Sequence, residues 1–311
     1  MALLTTILFL LSFVALFRTG RQLAETTLIS AYWWSVVAMA IWGGVYLLDV
    51  QLTRLEHPIA ETCWYVTVLF ALTPLVAVLG ARRPGVGAWN WFVVVPLLAV
   101  FGLFAVTNWR LEGMSAPIKV PAPLLAGLGV VMAMGLGNYL PTRYFVTVCL
   151  MGLAMLLVLL PVSTFVELSH SQSRLIRLAA TSLLCGSVLF GAWASRMVRT
   201  IECPISRLWN DYWDSFGLIW AIRLSERFNA KANEEQWPWR LGALGLEPFP
   251  PREGKDAEEF DRPTPAEEAA MMRNIRWMIQ RFVSDCWVER HLPMQTVNED
   301  ADKSSQTVRH R

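Results

Sequence analysis

The chain has 311 residues, of which 54% are hydrophobic and 17% are charged. A soluble protein of this size carries about 25% charged residues, so the composition excludes an ordinary soluble enzyme. The formal net charge of +2 divides into +4 before Arg196 and −2 from Arg196 onward, and such a tail lacks the clustered positive charge that nucleic-acid binding needs.

Seven apolar stretches fill the first two thirds of the chain. About 20 apolar residues in a helix cross a hydrocarbon core about 30 Å thick. The pattern therefore predicts an all-α, polytopic membrane bundle with a helical, partly disordered tail. We expect a seven-helix transmembrane domain at 1–195, a cytoplasmic helical tail at 196–297 and a disordered C-terminus at 298–311. The predicted spans are 2–17, 27–48, 60–80, 89–107, 122–140, 144–163 and 176–195.

The first predicted span is the shortest and lies at the N-terminus, where signal peptides are found. It lacks a basic segment ahead of the apolar run, and the residues Phe17–Arg21 are typical of a stop-transfer flank rather than a cleavage site. We therefore expect this span to be retained as a membrane helix.

Basic residues are divided unequally between the two sides of the predicted bundle. Eight lie on the side of the tail and five on the other, so the positive-inside rule favours a cytoplasmic tail and an outside N-terminus. Because eukaryotic sorting signals are absent, we expect a bacterial-type plasma (inner) membrane. The first group is Arg18, Arg21, Arg82, Arg83, Arg143, Arg196, Arg199 and Arg207, and the second is Arg54, Arg110, Lys119, Arg174 and Arg177.

Ionisable residues are almost absent from the interiors of the predicted spans. Glu61 and Arg177 are expected at span ends, where their side chains reach the interface. A proton or ion pathway usually places charged residues at mid-membrane depth. The pattern therefore argues against a coupled transporter or pump.

Two predicted spans carry rows of small residues four positions apart, a spacing that lets helix backbones approach closely. One row lies in the fifth span and one in the seventh. Each predicts either contact with another helix of the same bundle or a docking face for a second copy or a different subunit. The rows are Gly129, Ala133 and Gly137, and Ser187, Gly191 and Ser195.

The first part of the tail, 205–232, has the best pattern for an amphipathic helix. Large apolar residues recur there every three or four positions and so share one face. Three roles are open for this face: it packs on the second tail helix, it lies on the membrane surface, or it binds in the groove of a partner. The stripe consists of Trp209, Trp213, Phe216, Trp220, Leu224 and Phe228.

A second amphipathic helix is predicted at 265–291. Thr264 as N-cap, Pro265 at the first position and Glu267 at the third form a good start signal. The two helices are long enough to pack as an antiparallel hairpin across the connection 233–263. The apolar stripe of the second helix is Met271, Ile275, Met278, Phe282 and Cys286.

The sequence contains little that predicts chemistry. It has no GxSxG, HExxH, Walker or helix-opening GxGxxG pattern. The five cysteines are odd in number and widely separated, which argues against a disulfide framework and a zinc site. Asp211 and Asp214 share a helix face, but such carboxylates are more often a solvated face than a metal site. We expect no metal and no cofactor, and a non-enzymatic role is favoured.

Two histidines support one weaker hypothesis. His57 and His170 both fall in connections on the predicted outer side, where two facing imidazoles can hold a haem iron. This arrangement resembles that of membrane haem-handling proteins of cytochrome c assembly, whose outer loop is rich in tryptophan. Here the loop Asn108–Pro121 contains only Trp109, so no family is assigned. Solvated loop histidines are the alternative.

The leading functional hypothesis is a non-catalytic membrane subunit or scaffold. Its tail would bind partners or the membrane surface through Trp209, Trp213, Phe216 and Trp220. The expected partners are the lipid bilayer and a protein or second copy, bound through spans five and seven or the tail. One alternative is an uncoupled transporter or permease component for an apolar or lipid-like solute, and a second is a membrane enzyme or haem-handling protein.

Overall fold

The structure, a computed structural model, describes residues 2–52, 55–113, 116–197, 201, 203–249 and 263–292. The predicted disordered C-terminus 298–311 lies outside this part of the chain, as do Arg54 and Arg199. Two π-helical turns, Leu47–Gln51 and Asn90–Val94, follow α2 and α4. The helices are α1 (Ala2–Leu23), α2 (Ile29–Tyr46), α3 (His57–Leu79), α4 (Val86–Trp89), α5 (Val95–Glu112), α6 (Ala122–Gly137), α7 (Phe145–Val162), α8 (His170–Ala194), α9 (Pro204–Phe216), α10 (Leu218–Glu234), α11 (Pro265–Ile279) and α12 (Asp285–His291).

The predicted helical class is confirmed, and six helices are long and apolar enough to cross a membrane. The fifth predicted span, 122–140, is not confirmed, because α6 has only 16 residues, which rise about 24 Å against a core of about 30 Å. Residues 138–140, predicted as the end of that span, form turns that contact the tail. The six candidates are Leu3–Arg21, Ile29–Gln51, His57–Leu79, Val86–Glu112, Phe145–Val162 and His170–Ala194.

Helix α3 lies at the centre of the bundle and is the most buried of the six candidates. It packs against α2, α5, α6 and α7. Trp64, Tyr65 and Leu72 on this helix are fully buried. A helix that is apolar on every face is typical of such a central position. Helix α1 is peripheral and packs mainly on α8, where the Ser12 hydroxyl donates to the Cys185 carbonyl at 3.2 Å.

The tail is folded, and its first predicted helix is two helices. Gly217 separates α9 from α10, and its φ of +78° lies in the left-handed region that favours glycine. A Cβ at this position would overlap the side chain of Asn138. The single helix predicted at 205–232 is therefore corrected to Pro204–Phe216 and Leu218–Glu234, which share one apolar core.

The second predicted tail helix is also interrupted. The capping box at Thr264 and Glu267 is present, so the predicted start is confirmed. The helix predicted to run to 291 stops at Ile279, and α12 begins after Ser284, whose side chain accepts from the Trp287 amide. The interruption at 280–284 releases backbone groups for hydrogen bonds to the bundle, described below.

The connection between α10 and α11 begins with a short antiparallel hairpin. Strand β1 (Trp239–Leu241) pairs with β2 (Leu246–Pro248). The Trp209 indole donates to the Gly242 carbonyl at 2.9 Å, and the Asn210 amide donates to the Leu244 carbonyl at 2.9 Å. The hairpin therefore packs on α9 and closes one side of the tail core.

Candidate functional site

Three loops of the bundle contact the tail through backbone and side-chain hydrogen bonds. They are the segments 24–28, 80–85 and 138–144, which follow α1, α3 and α6. All three fall on the side of the tail in the predicted topology. We call this region the junction, and it is the candidate functional site because it fixes a folded tail against membrane helices.

Asn138 forms hydrogen bonds to the backbone on both sides of the break between α9 and α10. Its side-chain amide donates to the Phe216 carbonyl at 3.2 Å, and its side-chain carbonyl accepts from the Ile219 amide at 2.9 Å. Its backbone carbonyl accepts from the Leu218 amide at 2.8 Å. One buried residue of the bundle thus satisfies the end of one tail helix and the start of the next, where backbone groups lack partners within the helices.

Arg143 forms a second attachment, to the acidic face of α9. Its guanidinium lies 3.0 Å from Asp214 and 3.5 Å from Asp211, and its backbone amide donates to Asp214 at 3.1 Å. Asp214 is buried, so the solvated face expected for these two carboxylates is corrected to an ion pair with the bundle. The pairing offsets part of the cost of burying Asp214.

Tyr139 adds a neutral hydrogen bond beside this ion pair. Burial raises the pKa of the Tyr139 phenol above its ordinary value, so the hydroxyl remains protonated. It donates to the Ser215 carbonyl at 3.0 Å. Tyr139 therefore fixes the last turn of α9 at any physiological pH.

The interruption between α11 and α12 docks on the other two loops. The Thr27 amide donates to the Phe282 carbonyl at 2.8 Å, and the Arg83 amide donates to the Arg281 carbonyl at 2.9 Å. In the opposite direction the Ser284 amide donates to the Glu25 carbonyl at 2.9 Å. These backbone bonds require the non-helical conformation at 280–284, which explains why the predicted long helix is broken.

The aromatic residues predicted to face a partner or the membrane lie in the tail core. Trp209 and Phe216 are fully buried, Trp220 is buried and Trp213 is half-buried. The Trp220 indole donates to the Val78 carbonyl at 3.1 Å, which joins α10 to the end of α3. Core packing is thus the observed role of the stripe, because α9 and α10 bury it between α11 and the bundle.

The two rows of small residues behave differently. In α8, Ser187 donates to the Thr147 carbonyl at 2.9 Å and Gly191 lies against Thr147, so this row packs within the bundle, while Ser195 bonds locally to Ala192. The row in α6 does not face the bundle: Gly129 and Ala133 are exposed, and a Cβ at Gly129 or Gly137 meets no atom within 4 Å.

The structure brings His57 and His170 together at the other end of the bundle. Their ring centroids are 4.9 Å apart, so the imidazoles contact each other directly. His57 also lies 3.5 Å from Glu61. Haem ligation remains a hypothesis, and it would require these rings to separate enough to admit an iron and its porphyrin.

A charged pair inside the bundle is not predicted from the sequence. Asp49, in the π-helical turn after α2, accepts from the Arg177 guanidinium at 3.0 Å and from the Trp64 indole at 2.7 Å. The side chains of Arg177 and Asp49 are 0% and 1% exposed, so Arg177 does not reach the interface as expected. Glu61 is buried as well. One ionisable residue of the pair could have been noticed in the sequence, because Asp49 directly follows the predicted second span.

The described residues contain no group of three or more His, Cys, Asp or Glu side chains placed to hold a metal ion. Comparisons of the chain with protein-family models, with curated proteins and with solved structures find no match.

Proposed function

We propose that the protein is a non-catalytic membrane subunit or scaffold that holds a folded tail module, residues 203–249 and 263–292, against its membrane helices. The observation that carries this proposal is the junction, where three loops of the bundle bond to both helix breaks of the module. A freely moving tail would need none of these bonds. Fixing the module orders its outer face for a partner in advance, which lowers the entropy cost of association.

The face available to a partner differs from the predicted one, because the stripe of Trp209 and Trp220 is buried. Large apolar side chains still point outward elsewhere on the module. Trp277 on α11 is 65% exposed and Leu244 in the hairpin turn is 81% exposed. Exposed tryptophan is enriched among residues that dominate binding at protein interfaces. We therefore assign the partner surface to the side of the module that carries Trp277.

Co-purification of wild type and two matched variants tests this proposal. Trp277→Ser removes an exposed tryptophan from the module, and Trp33→Ser removes one that is 56% exposed on the bundle. After gentle extraction, native mass spectrometry of wild type should resolve other polypeptides above the 35.1 kDa chain. Trp277→Ser should lose them and Trp33→Ser should keep them. A lone chain in every sample would contradict the scaffold proposal.

A second candidate function is an uncoupled carrier for an apolar or lipid-like solute. It is favoured by an apolar cavity of about 260 Å³ among α2, α3 and α5, lined by Val45, Val66 and Trp109 among others. Clefts of this kind that are mostly apolar with a few polar groups are typical of small-molecule sites. Thr62 and Asn108 supply polar groups here.

Dithionite quenching in liposomes tests the carrier. A fluorescent lipid analogue in the inner leaflet is protected from dithionite unless the protein moves it outward. Wild type should increase the quenched fraction, and Val66→Trp, which fills the cavity, should abolish the increase. Equal quenching by the variant and wild type would exclude this cavity as the passage.

We also propose a plasma-membrane location with the N-terminus outside and the module in the cytoplasm. Cys286 is exposed on the module and serves as a native probe. In a variant whose other four cysteines are alanine, an impermeant maleimide should label Cys286 only after permeabilisation. Labelling of intact cells would reverse the orientation.

A further inference from the structure

We infer that the junction contains a binding site for the phosphate-bearing headgroup of an anionic membrane lipid. The site is a cavity of about 870 Å³ between the end of α3, helix α6 and the start of α10. This volume falls within the range of about 300–1,000 Å³ that is common for ligand sites. The inference goes beyond the scaffold proposal, because it concerns a lipid ligand and not a protein partner.

The cavity is basic. Four arginines line it, namely Arg82 and Arg83 from the loop after α3, Arg223 from α10 and Arg281 from the interruption before α12. No carboxylate is among the described residues that line it. Positive charges that line one cavity repel each other and destabilise a fold unless an anion neutralises them. The guanidinium group also matches phosphate geometry, because its planar donors bind two oxygens at once.

None of these four arginines has a carboxylate partner among the described residues. Four arginines elsewhere do, namely Arg143, Arg177, Arg276 and Arg290. Arg223 lies over the Trp220 ring at 5.1 Å and Arg281 over the Trp277 ring at 5.8 Å. Stacking on a ring holds a guanidinium in place and leaves its N–H donors free for a ligand.

The walls of the cavity are held in place before any ligand arrives. The Trp89 indole donates to the Val76 carbonyl at 2.9 Å, and the Trp220 indole donates to the Val78 carbonyl at 3.1 Å. Both carbonyls belong to the last turn of α3. The backbone bond from Arg83 to Arg281 closes the opposite side at 2.9 Å. Preorganised donors bind a ligand with a smaller entropy cost.

The position of the cavity selects a lipid over free phosphate. Leu79, at the end of α3, and Met134, in the last turn of α6, line it together with the arginines. The arginine side chains therefore lie beside apolar helices at the point where a membrane helix ends. Lipid phosphates lie at the same level of a bilayer. Basic pockets beside membrane helices on the cytoplasmic side are known to hold anionic headgroups, and tryptophan favours the same interface.

Native mass spectrometry with defined lipids tests the site on the full-length chain. The probes are phosphatidic acid, phosphatidylcholine and inorganic phosphate. Wild type should bind one phosphatidic acid in preference to phosphatidylcholine, and millimolar inorganic phosphate should not displace it. The double variant Arg223→Gln/Arg281→Gln should weaken phosphatidic acid binding about tenfold or more, since two charge-assisted contacts are lost.

A charge-matched control separates a specific site from general attraction. Arg18→Gln/Arg21→Gln removes the same charge from exposed residues at the end of α1, on the side assigned to the tail. Its affinity for phosphatidic acid should stay within about twofold of wild type, because surface attraction alone is screened by salt. Gel filtration and a melting curve for both variants establish that they fold.

Several results would overturn the inference. Equal loss of binding in the two double variants would show nonspecific attraction to the basic side. Equal affinity for phosphatidic acid and phosphatidylcholine would show that the cavity does not recognise the negative charge of the headgroup. Displacement by millimolar inorganic phosphate would assign the cavity to the free anion instead of a lipid. None of these outcomes depends on whether partner proteins co-purify, so the scaffold proposal is tested separately.

Discussion

Arg177 at one end of the bundle and the arginines of the junction cavity at the other lie in opposite environments. At the end that carries His57 and His170, Arg177 is fully buried and paired with Asp49. At the junction, Arg223 and Arg281 are exposed and have no carboxylate partner among the described residues. A buried cation without a counterion would destabilise the fold, whereas an unpaired cation at an interface remains available to an external anion. The comparison separates arginines that hold the structure from arginines that are free to bind.

Removal of the buried cation should have the largest effect. Arg177→Gln removes the cation paired with buried Asp49 and leaves the hydrogen bond from the Trp64 indole, so the free energy of unfolding should fall by about 3 kcal/mol or more. Denaturant titration in detergent micelles, followed by circular dichroism, measures this loss.

The double variant Arg177→Met/Asp49→Leu serves as the control. It removes both charges together and should be more stable than Arg177→Gln, because no buried charge is left without a partner. If the two variants were equally unstable, packing of the Arg177 side chain, and not its charge, would account for the loss.

Substitution of Gly217 should cause the second-largest loss of stability. Gly217→Ala places a Cβ at a φ of +78° and against Asn138, so we expect a loss of about 2 kcal/mol in stability. Limited proteolysis should show the tail becoming sensitive while the bundle resists. Gly129→Ala is the matched control, since a Cβ there meets no atom within 4 Å. Equal effects of the two substitutions would contradict the assigned role of the helix break.

The two carboxylates that bind Arg143 should differ in importance. Asp214 has a side chain that is 1% exposed and also accepts a bond from the Arg143 amide, while the side chain of Asp211 is 23% exposed. Asp214→Asn should cost about 1–3 kcal/mol in stability and Asp211→Asn less than about 1 kcal/mol. Melting temperatures of the two variants give this ranking, and the reverse order would contradict the geometry.

The smallest effect is expected for Ala133→Leu. Ala133 is exposed on α6, so a larger side chain points away from the described part of the bundle and the melting temperature should change little. Analytical ultracentrifugation then reports whether the exposed row takes part in self-association. A large loss of stability would show that this face packs within the bundle after all.

The sequence predicts what depends on apolar length and on local signals. Six spans follow from length and composition, and the start of α11 follows from Thr264, Pro265 and Glu267. The tail stripe is correctly placed on one face because α9 and α10 bury the same side. The spacing of the apolar residues continues unchanged across Gly217, so spacing alone does not predict the break.

The remaining features depend on tertiary contacts. Gly217 marks a break only because Asn138 supplies partners for the freed backbone groups. Asp49 falls just past a predicted span boundary, and its partner Arg177 is 128 residues further along the chain. The cavity at the junction combines Arg83, Arg223 and Arg281 from three segments. No local pattern joins such distant residues, so they emerge only from the folded chain.

The comparison between the two ends is tested most directly by thermal unfolding with and without phosphatidic acid. Wild type should gain stability when the lipid is added, because a ligand that binds only the folded state raises the melting temperature. Arg177→Gln should melt lower than wild type and gain as much from the lipid as wild type does. Arg223→Gln/Arg281→Gln should melt like wild type without lipid and gain nothing from it. A double variant that is unstable without lipid, or that keeps the full gain, would contradict the separation of structural from binding arginines.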